Sequence, residues 1–182
     1  MAKRVAGSKL LPIKMLLLDV DGVMTDGGLY YSADGHELKR FHAHDGYGVV
    51  RAHEHGLRIG IITGRTTPIV DARAKVLKID DVFQGTMDKV TPMRILQEKY
   101  DLLEKEFAFI GDELFDLPLL RLVGFAAAPR NARDEVKREV DYITSVDGGN
   151  GAVREVIDMI IAHQTRPASP PRTPRNPGRT RH

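Results

Sequence analysis

Hydrophobic residues fall in short compact runs, separated by stretches in which they recur at helical spacing. Residues 13–20 form an apolar run that ends in acid and is followed by Gly22, the pattern of a buried strand and the loop at its carboxyl end. Leu29–Tyr31 and Glu37–Phe41 flank Asp34-Gly35, and an Asp-Gly between β-prone segments predicts a hairpin. The period then becomes helical from Asp45-Gly46 through Val49, Val50 and Ala52 to His55, closed by Gly56. The alternation repeats. Strands are predicted at Leu57–Ile62, Val82-Phe83, Phe107–Ile110, Gly124–Ala127 and Tyr142-Ile143. Helices are predicted at Thr67–Leu77, with Pro68 in its first turn, and at Lys89–Tyr100, with Val90, Met93, Leu96 and Tyr100 in one stripe. Further helices are predicted at Leu117–Leu122, Asn131–Val140 and Gly151–His163. Strands separated by helices imply right-handed crossovers and a parallel sheet covered on both faces. The expected fold is a doubly wound α/β sheet with an inserted β-hairpin, forming a single domain over residues 1–163.

Length agrees, since 182 residues make about one domain. The absence of cysteine excludes a disulfide framework, a thiol nucleophile and a thiolate metal site. No apolar stretch reaches the ~20 residues that span a bilayer. The run Leu10–Leu18 is broken by Lys14 and ends at Asp19, so no signal peptide is expected. A soluble, cytoplasmic protein is the expectation. The net charge of +2 hides an uneven distribution. Residues 164–182 carry five of the 27 basic residues, five prolines and no acid, which leaves 22 basic against 25 acidic residues elsewhere. That tail reads as disordered, basic and Pro-rich, without aromatic residues to stack on bases, so nucleic-acid binding is not expected.

In open α/β sheets, ligands bind beyond the carboxyl ends of the strands. Asp19 and Asp21 follow the first predicted strand, Thr63-Gly64-Arg65 the second, and Gly111-Asp112-Glu113 the strand at 107–110, with Asp116 four residues past Asp112. Lys89 opens the helix after Phe83. Singly, each has an ordinary structural reading: Asp19 a turn or cap, Thr63-Gly64 a turn, Lys89 a solvated lysine, Asp112 with Asp116 helix capping. Together they bring carboxylates, a hydroxyl and an ammonium to one rim. Crowded carboxylates repel, and a hard divalent cation such as Mg2+ relieves the repulsion while taking phosphate oxygen as a further ligand. Such a set suits phosphoryl transfer, which is stabilised mostly by positioning and charge.

Asp19-Val20-Asp21-Gly22-Val23-Met24-Thr25, Thr63, Lys89 and Gly111–Asp116 resemble the four ordered motifs of the haloacid dehalogenase superfamily. The resemblance implies a Rossmann-like fold and Mg2+ as cofactor. It implies Asp19 as the nucleophile that forms an aspartyl-phosphate, and Asp21 as general acid and then base. Thr63 and Lys89 would hold phosphoryl oxygens. Asp19, Asp112 and the backbone carbonyl of Asp21 would bind the metal, and Asp116 would support the lysine or the metal from behind. Asp21 and Thr63 are 42 residues apart, and Thr63 and Lys89 only 26, so neither gap holds a cap domain.

Asp19–Gly27, Asp45–Gly48, Ile61–Arg65, Gln84-Gly85, Asp88-Lys89, Asp112–Pro118, Gly148-Gly149 and Gly151–Glu155 resemble one capless family, the 3-deoxy-D-manno-octulosonate (KDO) 8-phosphate phosphatases of lipopolysaccharide synthesis. The likeness implies a small sugar phosphate as substrate and a homotetramer whose hairpins, residues 29–41, assemble at the centre. It places Asp21, Asp45, Gly46, Arg65, Arg73 and Lys89 near substrate. Guanidinium groups suit an acidic sugar because they pair two-pronged with carboxylate or phosphate. The hairpin, with Leu29, Tyr30, Tyr31 and Phe41, is expected to form an oligomer contact, with packing on its own core as the alternative. The family pattern carries arginine where this chain has His44 and Asn150, which leaves a nonulosonate 9-phosphate as the alternative substrate. A phospho-receiver module is the alternative of another class. Receivers also cluster Asp, Thr and Lys, but need no second aspartate acting on a leaving group.

Overall fold

The computed structural model describes residues 7–165. A single helical turn, α1 (Gly7–Leu10), precedes the central strand β1 (Met15–Leu18). A tight loop over residues 20–24 leads to the hairpin of β2 (Tyr30–Tyr31) and β3 (Glu37–Leu38). Then follow α2 (Ala43–Glu54), β4 (Arg58–Ile62), α3 (Pro68–Leu77), β5 (Asp81–Phe83) and α4 (Val90–Tyr100). The chain continues through β6 (Phe107–Ile110), α5 (Leu117–Leu120), β7 (Phe125–Ala128), α6 (Asp134–Glu139), β8 (Tyr142–Ile143) and α7 (Ala152–Gln164). Six strands form one sheet in the order β5-β4-β1-β6-β7-β8, every pair parallel, and β2-β3 form a separate antiparallel pair. Among the described residues there is no helix long and apolar enough to cross a membrane.

Side chains alternate across the sheet, and both faces are buried. Leu16 and Leu18 of β1, Ile59 and Ile61 of β4, Ala108 and Ile110 of β6 and Phe125 and Ala127 of β7 join one core with α2, α3 and α7. Met15, Leu17, Phe107, Phe109, Ala126 and Ala128 point the other way, toward α4, α5 and α6. Continuous apolar runs on the central strands are what a sheet covered on both faces requires. Fully burying a Leu, Ile or Phe side chain contributes about 1.5–3 kcal/mol, so the four-residue strands β1, β6 and β7, every residue buried, anchor the site.

Sequence-predicted elements all exist, with shifted ends. Helix α2 starts two residues before Asp45, and α6 is shorter than Asn131–Val140. The lead-in to β1 holds the unforeseen α1, whose Leu10 is fully buried. The last helix ends one residue later than expected. Gln164 belongs to α7 and its amide donates to the carbonyls of Leu10 (3.1 Å) and Ile13 (2.7 Å), while Thr165 closes the helix. The remainder of the basic tail lies outside the described residues.

Candidate active site

Chain order reverses at β1, whose neighbours are β4 and β6. The crevice at such a switch point is where an open α/β sheet receives ligands. Asp19 follows β1 directly, and its N–H donates to the carbonyl of Ile110 at 3.1 Å, so β1 and β6 end together. Asp112 lies two residues past Ile110. One oxygen from each of Asp19, Asp112 and Asp116 falls within a 4.8 Å cluster.

Two buried side chains, Asp116 and Lys89, hold this cluster. Asp116 Oδ2 accepts the N–H groups of Asp112 (2.9 Å) and Glu113 (3.1 Å), which fixes the turn after β6. Lys89 reaches in from the start of α4, where Asp88 Oδ1 accepts the N–H groups of Val90 and Thr91 and so fixes the first turn. Lys89 Nζ stands 2.8 Å from Asp19 Oδ1 and 2.6 Å from Asp116 Oδ1, with its side chain 1% exposed. The ring of Phe115 lies 4.8 Å from the same ammonium, a favourable placement for a desolvated cation.

One ammonium does not balance three carboxylates. Burial pushes Asp112 up to about 8, reinforced by the charges of Asp19 and Asp116. Burial also pushes Asp19 up to about 6, against the pull of Lys89. Asp112 Oδ1 is buried and has no hydrogen-bond partner. An orphaned carboxylate oxygen beside Asp19 fits a hard divalent cation with oxygen ligands. The residues present therefore suit Mg2+, with Asp19 and Asp112 as side-chain ligands.

Asp19, Asp21, Thr63, Arg65, Asp112, Glu113 and Phe115 line one open cleft of about 320 Å³. Gly22, at φ +91°, turns the chain between Asp21 and the rest of the loop. Gly148 packs on that loop so closely that a β-carbon there would lie 1.8 Å from the Gly22 carbonyl oxygen, a packing reason for the Gly148-Gly149 pair.

The structure also separates residues expected together. Asp45, Gly46 and Arg73 do not line the cleft of their own chain. With Phe41 and His42 they surround another cavity of about 10 Å³, room for a single water and not for a sugar. Asp45 caps α7, accepting the N–H of Arg154 (2.8 Å) and of Gly151 (3.3 Å). Arg73 stacks its guanidinium 5.3 Å from the Phe41 ring centre. Gly46 lets it pass, since a β-carbon there would stand 2.5 Å from Arg73 Nη2. Phe41, expected to be exposed, packs on the core, whereas Leu29, Tyr30, Tyr31 and Leu38 of the hairpin are exposed. Arg40 Nη2 donates to Asn150 Oδ1 at 3.2 Å, so the segment that lacks an arginine at 150 keeps a guanidinium beside it.

Sequence reasoning missed Lys39. Its ammonium pairs with Asp21 Oδ1 and lies 3.3 Å from Glu37 Oε1, with the side chain 1% exposed. Glu37 in turn pairs with Arg65 Nη2 at 2.9 Å. The signal was the strand's alternation of period two: with Leu38 outward, residues 37, 39 and 41 share the inward face.

A family model described as haloacid dehalogenase-like hydrolase matches residues 77–157. The 3-deoxy-D-manno-octulosonate 8-phosphate phosphatase KdsC of Escherichia coli (strain K12) is 39% identical over 152 residues, covering 84% of this chain and 81% of its own length. The corresponding phosphatase from Moraxella catarrhalis, solved with magnesium ion, phosphate ion and KDO, superposes with a TM-score of 0.85 at 40% identity. That match covers 87% of this chain and 91% of the other. The Yersinia pestis phosphatase structure gives a TM-score of 0.85 at 37% identity, over 87% of this chain and 85% of that one. With the carboxylate cluster at the switch point and a relative this similar along most of its length, the chain belongs to the 3-deoxy-D-manno-octulosonate 8-phosphate phosphatase family of haloacid dehalogenase-like hydrolases.

Proposed function

We propose that this protein is a Mg2+-dependent phosphatase that hydrolyses KDO 8-phosphate to KDO and inorganic phosphate. The observation that carries the reading is the Asp19–Lys89–Asp116 pairing beside Asp112, at the floor of a cleft that also presents Asp21 and Thr63. Asp19, Asp112 and the backbone carbonyl of Asp21 would hold the cation, which when bound neutralises charge so that a phosphate dianion can approach a carboxylate.

In the first step an Asp19 carboxylate oxygen attacks phosphorus. The bond to the sugar oxygen breaks, and that oxygen takes a proton from the Asp21 carboxyl. In the second step water attacks phosphorus, gives its proton to the Asp21 carboxylate and frees both phosphate and Asp19. Thr63 and Lys89 hold the non-bridging oxygens, with Lys89 kept in place by Asp116. Arg65, on the cleft wall, suits the sugar carboxylate.

Asp45, Gly46 and Arg73 contact substrate only if a neighbouring subunit presents them, because their own cleft does not. That agrees with a homotetramer assembled through the exposed hairpin residues Leu29, Tyr31 and Leu38. A cytoplasmic location accords with the cysteine-free sequence.

A turnover screen over eight-carbon and nine-carbon phosphorylated keto acids with Mg2+ tests the reading. KDO 8-phosphate is expected to be turned over with at least tenfold the kcat/KM of a nonulosonate 9-phosphate, and Asp19→Asn to abolish turnover. A protein idle on both sugars, or a long-lived phosphate on Asp19, defeats it.

A further inference from the structure

We propose that Lys39 is a positioning residue for the Asp21 carboxyl group, fixing which of its oxygens serves the leaving group. The proposal rests on Asp21 acting as the proton donor and acceptor described above. A hairpin lysine ordinarily stretches its stem along the surface and keeps its ammonium in water. Lys39 does the opposite: its side chain is as hidden as that of Lys89, 1% exposed in each case. Burying an ammonium is costly unless it is paired, and Lys39 has two carboxylate partners, Asp21 Oδ1 and Glu37 Oε1.

The hairpin that carries this lysine is tied down at its base. Thr25 pairs with Phe41 across the two chain segments, and the Tyr30 hydroxyl donates to Asp26 Oδ2 at 2.7 Å. On its far side Glu37 is held by Arg65, whose second contact is the Tyr31 hydroxyl at 3.0 Å. Asp21 is thereby gripped at one oxygen by a partner that is itself paired with Glu37, while its residue still lines the cleft. Proton transfer needs the donor oxygen within hydrogen-bond reach of the leaving oxygen. A carboxyl free to rotate would sample that geometry part of the time; one clamped at Oδ1 keeps Oδ2 for the task.

Substrates that differ in their need for a proton give the test. An alkyl phosphate such as KDO 8-phosphate needs its leaving oxygen protonated, whereas p-nitrophenolate departs unaided. Lys39→Gln is expected to lower kcat/KM on KDO 8-phosphate at least tenfold more than on p-nitrophenyl phosphate, and Lys39→Arg to recover part of the difference. Should the glutamine variant fail to fold, Lys39→Met keeps a long unbranched side chain without seeking a hydrogen bond, and the same ratio is read. Equal losses on both substrates, or no loss, overturn the positioning role while leaving the phosphatase reading intact. Wild-type protein idle on both substrates overturns that reading, and this proposal with it.

Discussion

Gly22 and Asp112 touch across the cleft floor: a β-carbon on Gly22 would lie 2.1 Å from Asp112 Oδ2. Gly22 also holds φ at +91°, which L side chains rarely adopt. The glycine thus serves the turn and the carboxylate at once. Gly22→Ala is expected to displace Asp112 from the position it shares with Asp19, cutting turnover at least a hundredfold. Two measurements check this together: kcat/KM, and the thermal stabilisation produced by Mg2+, which the variant should lose. An alanine variant that still gains stability on Mg2+ addition would show that the close approach is relieved elsewhere.

The carboxylate cluster makes a prediction about acidity. In the unfolded chain Asp19 and Asp112 titrate near the ordinary carboxylate value of 3.8, whereas burial in the fold pushes them up to about 6 and about 8. Between those limits the folded protein holds protons that the unfolded chain has released, so metal-free stability falls as pH rises from about 4 toward 8. Mg2+ replaces those protons, and its stabilising effect is therefore expected to grow across the same interval. Thermal melts with chelator or with Mg2+ at pH 5 to 8.5 read both trends. Asp112→Asn removes a charge that burial opposes. At pH 8 without metal it is expected to melt about 2–4 °C above the wild type, the shift that ~1 kcal/mol gives in a domain of this length. A variant that melts lower would show Asp112 to be stabilising in its charged form.

The fold was legible because both faces of the sheet are buried, so Met15–Leu18, Phe107–Ile110 and Phe125–Ala128 stand out as uninterrupted apolar runs. Residues that follow directly from a strand end were legible for the same reason: Asp19, Thr63 and Asp112 inherit their direction from the backbone before them. Lys39 was not, and Arg73 was reached only through the family resemblance, not from its local sequence. Each sits on a segment whose orientation depends on tertiary packing, the hairpin on Asp21 and Arg65, and α3 on Phe41. A long flexible side chain on such a segment can face solvent, core or cleft with the same local sequence. Asp45 illustrates the reverse case, a motif residue whose side chain, in its own chain, caps α7.

Arg73 offers the sharpest check on how the active site is completed. Its guanidinium stacks on Phe41 beside a cavity too small for a sugar, and the residue as a whole is half-buried, with part of its surface on the outside of the chain. If a neighbouring subunit presents that side to the substrate carboxylate, Arg73→Ala removes a contact that is equally strong in the ground state and the transition state. Loss of such uniform binding raises KM with little change in kcat. About a tenfold rise in KM for KDO 8-phosphate is expected, with kcat within twofold, while KM for p-nitrophenyl phosphate, which has no carboxylate, stays unchanged. Dilution of the wild-type protein below its assembly range should reproduce the same selective rise. A KM that ignores both the substitution and the dilution would confine Arg73 to packing against Phe41 and leave Arg65 as the guanidinium facing the sugar acid.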